Sequence, residues 1–138
     1  MTTTNNSGRT VKQVIVMRTD LNMRKGKMIA QGGHSVEYSL LGDNFANRIQ
    51  GNGTLILNFT EEEVHWLCSG SKKVVVGCGS ESELEALYRQ AKEANLTVHL
   101  VVDSGFTEFH GKETKTCLVI GPHANEKIDP ITGGLQLL

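Results

Sequence analysis

Apolar residues fall into short runs rich in β-branched side chains, separated by stretches with helical spacing. Val11 to Arg18 reads as a buried strand, as do Lys73 to Cys78, Thr97 to Val102 and Thr116 to Gly121, the last expected to stop at Pro122. Between them lie segments with helix punctuation. Thr60 and Glu63 form a capping-box pair ahead of His65-Trp66-Leu67, and Ser80 with Glu83 forms a second. Leu84, Leu87, Tyr88 and Ala91 then supply an i, i+3, i+4, i+7 stripe, and Asn95 suits a left-handed cap. Trp66 reads as the core anchor of its helix. A short helix around Ala124–Ile131 and an apolar tail, Leu135 to Leu138, complete the pattern.

The segment from about Gly26 to Leu41 is the most informative helix. At about 100° per residue, Ile29, Gly33, Val36 and Leu40 share one side, with Lys27, Gln31, His34 and Tyr38 almost opposite. Each glycine of the Gly32-Gly33 pair costs about 1 kcal/mol relative to alanine in a helix. Close approach of the helix backbone to the sheet is the expected reason. Residues 42–53 read as a loop, and 54–59 as a short strand or an extended link.

Alternation of strands and helices predicts an α/β fold: a single three-layer α/β/α domain over residues 10–138, with a mixed sheet of roughly four strands. Residues 1–9 are expected to be a flexible polar tail. With 138 residues, one sizeable core is affordable and two are not. No run approaches the roughly 20 apolar residues of a membrane span, and the first residues lack an apolar signal core, so a cytoplasmic location is expected. Cys68, Cys78 and Cys117 have no CxxC spacing and read as reduced thiols.

Several motifs fail. Gly77-Cys78-Gly79 precedes a helix, but Ser82 stands where a dinucleotide fingerprint needs glycine. Gly111-Lys112 is followed by Glu113, where a P-loop needs a hydroxyl. His65 and Cys68 have no second pair to complete a zinc site, and no GxSxG elbow exists. Neither a metal nor a cofactor is expected, and activated water is the favoured nucleophile of any hydrolysis. Charge is more telling in its placement than in its total. The net formal charge is −1, but residues 1–28 hold six basic side chains against Asp20 alone, a local +5. Such a segment suits a polyanion.

Within it, Arg18, Asp20, Arg24, Lys25, Lys27, Gln31 and His34 surround a strand end and a helix start. Free N–H groups and the helix dipole bind anions there, and Lys27 adds a full charge. A phosphate or oxyanion site and a solvated cationic helix face both account for this spacing.

The same residues resemble the archaeal- and eukaryotic-type (type II) peptidyl-tRNA hydrolases. Their R-x-D-L-x-M-x-x-G-K-x-x-A-Q-x-x-H pattern is matched at Arg18, Asp20, Leu21, Met23, Gly26, Lys27, Ala30, Gln31 and His34. Asp103-Ser104-Gly105-x-Thr107 and Thr114-x-Thr116-Cys117-Leu118-x-Ile120-Gly121-Pro122 resemble a second block, and Ile128 to Leu138 resembles the C-terminal signature. Gly32-Gly33 and Ser35 depart from the pattern. The segment 42–60 is longer than in compact members, and TEFHG at 107–111 looks like a bacterial and phage-like branch.

The resemblance implies hydrolysis of the ester joining a peptide to the 3′ ribose of tRNA, with peptidyl-tRNA as substrate and a homodimer as the working form. It implies Lys27 as oxyanion or phosphate stabiliser and Asp103 as the group that orients or deprotonates water. Thr107 and Thr116 would hold water or ribose, while Arg18, Asp20, Arg24, Lys25, Gln31 and His34 would bind substrate. A non-catalytic tRNA-binding or adaptor domain on the same fold is the alternative. Asp20 also has the plainer role of pairing with Arg18, and His34 and His110 that of packing or facing solvent.

Overall fold

In the computed structural model, which describes residues 10–105 and 109–138, four strands form one mixed sheet. The strands are β1 (Val11–Arg18), β2 (Lys73–Cys78), β3 (Val98–Asp103) and β4 (Thr114–Ala124), in the order β2-β1-β4-β3. β1 runs parallel to β2 and antiparallel to β4, which is antiparallel to β3. The helices are α1 (Lys25–Leu41), α2 (Glu61–Cys68), α3 (Glu81–Glu93) and α4 (Asn125–Thr132).

β1 and β4 are the inner strands, and their uninterrupted aliphatic runs are buried on both faces. One face packs Val14, Val16, Leu118 and Ile120 against Leu84, Leu87 and Ala91 of α3 and Ile128 of α4. The other sets Ile15, Met17, Cys117 and Val119 against Met28 and Val36 of α1. The expected three-layer α/β arrangement follows from these two cores. The expected tail over 1–9 lies outside the described residues. No helix among the described residues is long and apolar enough to cross a membrane.

Local signals hold closely. Thr60 and Glu63 make both bonds of the capping box. Ser80 accepts from the Glu83 N–H, while the Glu83 carboxylate reaches past it to the Gly79 N–H. Asn95 is left-handed, with φ 58°. Trp66 is buried and donates through its ring N–H to the Lys72 carbonyl at 2.8 Å. Residues 54–59 join no ladder and are an extended link.

Two expectations change. β4 does not stop at Pro122 but runs on to Ala124. Pairing with β3 has already ended at Ile120, and the β1 register shifts between Lys12 and Val14, so no ladder bond needs a proline N–H there. Gly121 makes the irregularity possible, with φ 101° and a position where a Cβ would lie 2.7 Å from the Lys12 carbonyl oxygen. The glycine pair of α1 is not at a close approach, because a Cβ at Gly32 or Gly33 would meet nothing within 4 Å.

The sequence pattern leaves open which side of α1 is buried deepest. Gln31, Ser35 and Ser39 are its buried residues, whereas Ile29 is 75% exposed. A polar stripe faces inward because each member finds a hydrogen bond there. Ser39 donates to the Gly121 carbonyl and accepts from the buried Gln13 amide, and Ser35 donates to the Gly32 carbonyl. The apolar side instead forms one wall of a groove of about 690 Å³, whose lining includes Ile15, Met17, Met28, Val36, Val75 and Leu138. The C-terminal tail closes the outer edge of β2, with Gly77 N–H donating to the Gln136 carbonyl and Leu138 N–H to that of Val75.

Candidate active site

The strand order brings the start of α1 beside the end of β3, although 76 residues separate Lys27 from Asp103. Lys27 Nζ donates to Asp103 Oδ1 at 2.9 Å, with the two side chains only 13% and 14% exposed. The other carboxylate oxygen accepts from the Gly105 N–H at 2.8 Å. Gln31, one helical turn beyond Lys27, donates from its amide to Asp103 Oδ1 at 3.3 Å. Its own carbonyl oxygen accepts from the Thr116 hydroxyl at 2.6 Å. A single chain of donors therefore runs from a buried strand hydroxyl to the carboxylate that holds the lysine.

The chain also sets the protonation state. Burial alone would raise the Asp103 pKa, but the Lys27 hydrogen bond, the Gly105 N–H, the Lys27 charge and the Gln31 amide together hold it below the usual value. Asp103 is thus an ionised carboxylate at neutral pH and a weak proton acceptor. The Phe109 ring lies over the lysine, 5.6 Å from Nζ to ring centroid, and packs against the core beneath α1.

The other expected site residues, Thr116 of the catalytic set and the substrate-binding set, divide. Gln31 and Thr116 are buried, at 1% and 0% exposure, and bonded to each other, so they support the pair instead of facing solvent. Arg18 is buried too. It pairs through two hydrogen bonds with Asp20, at 3.1 and 2.7 Å, and a third reaches the Lys115 carbonyl at 3.0 Å. Asp20 is held below its ordinary pKa by the Arg18 hydrogen bond. These two residues tie the loop after β1 to β4 and Arg18 is not open to a ligand. His34 is exposed and stands 3.5 Å from Glu37 on its own helix. Arg24 occupies the N-cap position of α1 with its side chain exposed, and Lys25 lies on the groove flank. The first turn of α1 carries no acidic residue, which keeps the helix end attractive to anions. Thr107 lies outside the described residues.

Two contributors escaped the sequence reading. The Gly105 backbone N–H had a faint signal in the Asp-x-Gly spacing, as such carboxylates often bond two residues on. Phe109 had none. Among the described residues no three His, Cys, Asp or Glu side chains converge as a metal site would require.

This constellation uses residues from the first two blocks of the resemblance, and comparison with known proteins agrees with the resemblance. The family model described as Peptidyl-tRNA hydrolase PTH2 matches residues 11–138. The chain belongs to the PTH2 family. A peptidyl-tRNA hydrolase from Methanocaldococcus jannaschii is 40% identical over 128 residues, covering 93% of this chain and 100% of the relative. One from Methanothermobacter thermautotrophicus is 42% identical over 130 residues, again covering 93% and 100%. A third, from Methanopyrus kandleri, is 42% identical over 127 residues, or 92% and 97%. These relatives are archaeal, so they lend no support to the bacterial and phage-like branch expected from TEFHG. The groove beside α1 lies on the flank of the helix that carries Ile29 and Val36, and its lining does not include Lys27 or Gln31.

Proposed function

We propose that the chain is a hydrolase of peptidyl-tRNA, cleaving the ester between the peptide carboxyl and the 3′-terminal ribose by attack of water. The observation that carries this reading is the Lys27–Asp103 pair, 2.9 Å apart in a half-dry position at a helix start. Attack of water on the ester carbonyl places negative charge on its oxygen. Lys27, in the first turn of α1, presents an ammonium and the positive end of the helix to that charge. Breaking the bond to the ribose oxygen, which takes up the proton given up by the attacking water, then frees the tRNA hydroxyl and the peptide's carboxyl group.

Asp103 acts here by holding Lys27 and orienting water, since a carboxylate below its ordinary pKa accepts a proton poorly. Gln31 and Thr116 keep that carboxylate in register. Thr107 is assigned to the ribose or the water by the family resemblance. Arg24 and Lys25, at the N-cap and first residue of α1, meet the phosphates.

Replacing Lys27 by alanine is expected to lower kcat on purified peptidyl-tRNA by about 10²–10³, with the circular dichroism spectrum retained. Cleavage at the wild-type rate by that variant would overturn the assignment of Lys27. Binding of tRNA by the wild type without turnover would favour an adaptor domain instead.

We also propose a cytoplasmic location, where peptidyl-tRNA arises, and a homodimer through the groove beside α1. Ile29 projects from the same face that carries the groove, and Gly32-Gly33 leave the helix surface bare. A face bearing both knob and hole is self-complementary about a two-fold axis.

A further inference from the structure

Phe109 enters the sequence motifs only as the middle of TEFHG, yet its placement follows from the same carboxylate that holds the lysine. Asp103 Oδ2 accepts from the Gly105 N–H, and the Gly105 carbonyl accepts from the N–H groups of both Phe109 and Gly111, at 3.3 and 2.9 Å. The Phe109 carbonyl in turn accepts from Lys112 N–H at 2.9 Å. Gly105 is left-handed at φ 86°, and a Cβ there would collide with the Lys112 backbone, so only glycine permits the loop to close this way. The contacts form a ring: carboxylate to Gly105, Gly105 to Phe109, the Phe109 ring to Lys27, and Lys27 back to the carboxylate.

We propose that Phe109 is a positioning residue for the reaction, holding the Lys27 ammonium against Asp103 with the face of its ring. The negative face of an aromatic ring attracts an ammonium within about 6 Å of its centroid, and the separation here is 5.6 Å. The ring also excludes water from one side of the ammonium, so that its charge is less screened where an oxyanion develops. An aliphatic residue of similar bulk would fill the space but lack the attractive face. Phe109 touches no reacting atom in this scheme and acts through Lys27. The inference therefore rests on the role proposed for Lys27 in peptidyl-tRNA hydrolysis.

The test compares Phe109→Leu with Phe109→Tyr. The leucine variant should keep KM for peptidyl-tRNA within twofold and lose about fivefold or more in kcat, as one cation–π contact would give. The tyrosine variant, which keeps the ring, should recover most of that loss. A leucine variant at the wild-type kcat, or a tyrosine variant as slow as leucine, would overturn the proposal. A second measurement needs neither substrate nor a variant. Ring-current shielding should move the Lys27 ε-methylene protons of the wild-type protein upfield of those of its exposed lysines. Ordinary lysine shifts would overturn the proposal even if the leucine variant failed to fold. Wild-type protein with shielded Lys27 protons but no peptidyl-tRNA cleavage would remove the hydrolase reading, and with it the catalytic purpose of the contact.

Discussion

Glu62 offers the most quantitative test of how this fold is held together. It projects from the first turn of α2 and is 16% exposed. One carboxylate oxygen pairs with His123 Nδ1 at 2.9 Å, while the other accepts from the Ala124 N–H at 2.9 Å and pairs with Lys127 at 3.1 Å. His123 Nε2 accepts from the Thr97 N–H at 2.8 Å, so the proton on the neutral ring must sit on Nδ1 and is donated to Glu62. The carboxylate thereby ties α2 to the end of β4, and through His123 to the residue before β3. Burial alone would raise the Glu62 pKa, yet the bonds from His123, Ala124 and Lys127 bring it down to about 2 from an ordinary 4.5.

A depressed carboxylate pKa stabilises the folded state above the unfolded pKa, and the benefit is lost as pH falls through the folded one. A drop of this size corresponds to about 2–3 kcal/mol at pH 7, after discounting for partial exposure. Glu62→Gln keeps the shape and removes the charge. Urea denaturation of both proteins between pH 7 and pH 2 should show the wild type ahead by about 2–3 kcal/mol at pH 7. The lead should be about half that near pH 3 and close to zero below pH 2. A difference that stays constant across this range, or one below about 0.5 kcal/mol at pH 7, would refute the reasoning.

Three further outcomes are expected. Thr116→Val leaves the buried Gln31 carbonyl oxygen without its donor, and should cost about 1–3 kcal/mol in urea unfolding. Because Gln31 then loses its orientation against Asp103, kcat should fall while KM changes little, and an unchanged kcat would refute the supporting role. The paired replacement Arg24→Ala and Lys25→Ala should flatten the fall of kcat/KM with added KCl, lowering the log–log slope by about 1–2. An unaltered slope would take these residues out of phosphate contact. Ile29→Lys should convert the proposed dimer to monomer in sedimentation velocity, and an identical sedimentation coefficient for wild type and variant would remove the groove from the interface.

Much of the fold was legible because its signals are local. Aliphatic β-branched runs become the inner strands wherever helices cover both faces, and Thr60 with Glu63 starts α2 through atoms three residues apart. The Lys27 neighbourhood was legible in part, since a lysine at a bare helix start attracts anions whatever surrounds it.

Tertiary structure decided the rest. Which side of α1 faces the sheet depends on hydrogen-bond partners remote in the chain: Thr116 is 85 residues from Gln31, and Gly121 is 82 from Ser39. Apolar periodicity leaves it open, because a pattern of hydrophobicity cannot register a polar stripe whose every member is satisfied. Arg18 and Thr116 likewise lay within the matched blocks as candidates for contact with substrate, yet folding buries both and turns them to holding other residues. The passage of β4 through Pro122 rests on where β3 ends, and the ring of contacts from Asp103 through Phe109 to Lys27 on a loop closing over itself. Sequence alone determined most of the elements, the family and the basic charge gathered around the start of α1. Only the packed chain decided which polar groups meet that charge and which disappear behind it, because burial and hydrogen bonding are properties of neighbours in space.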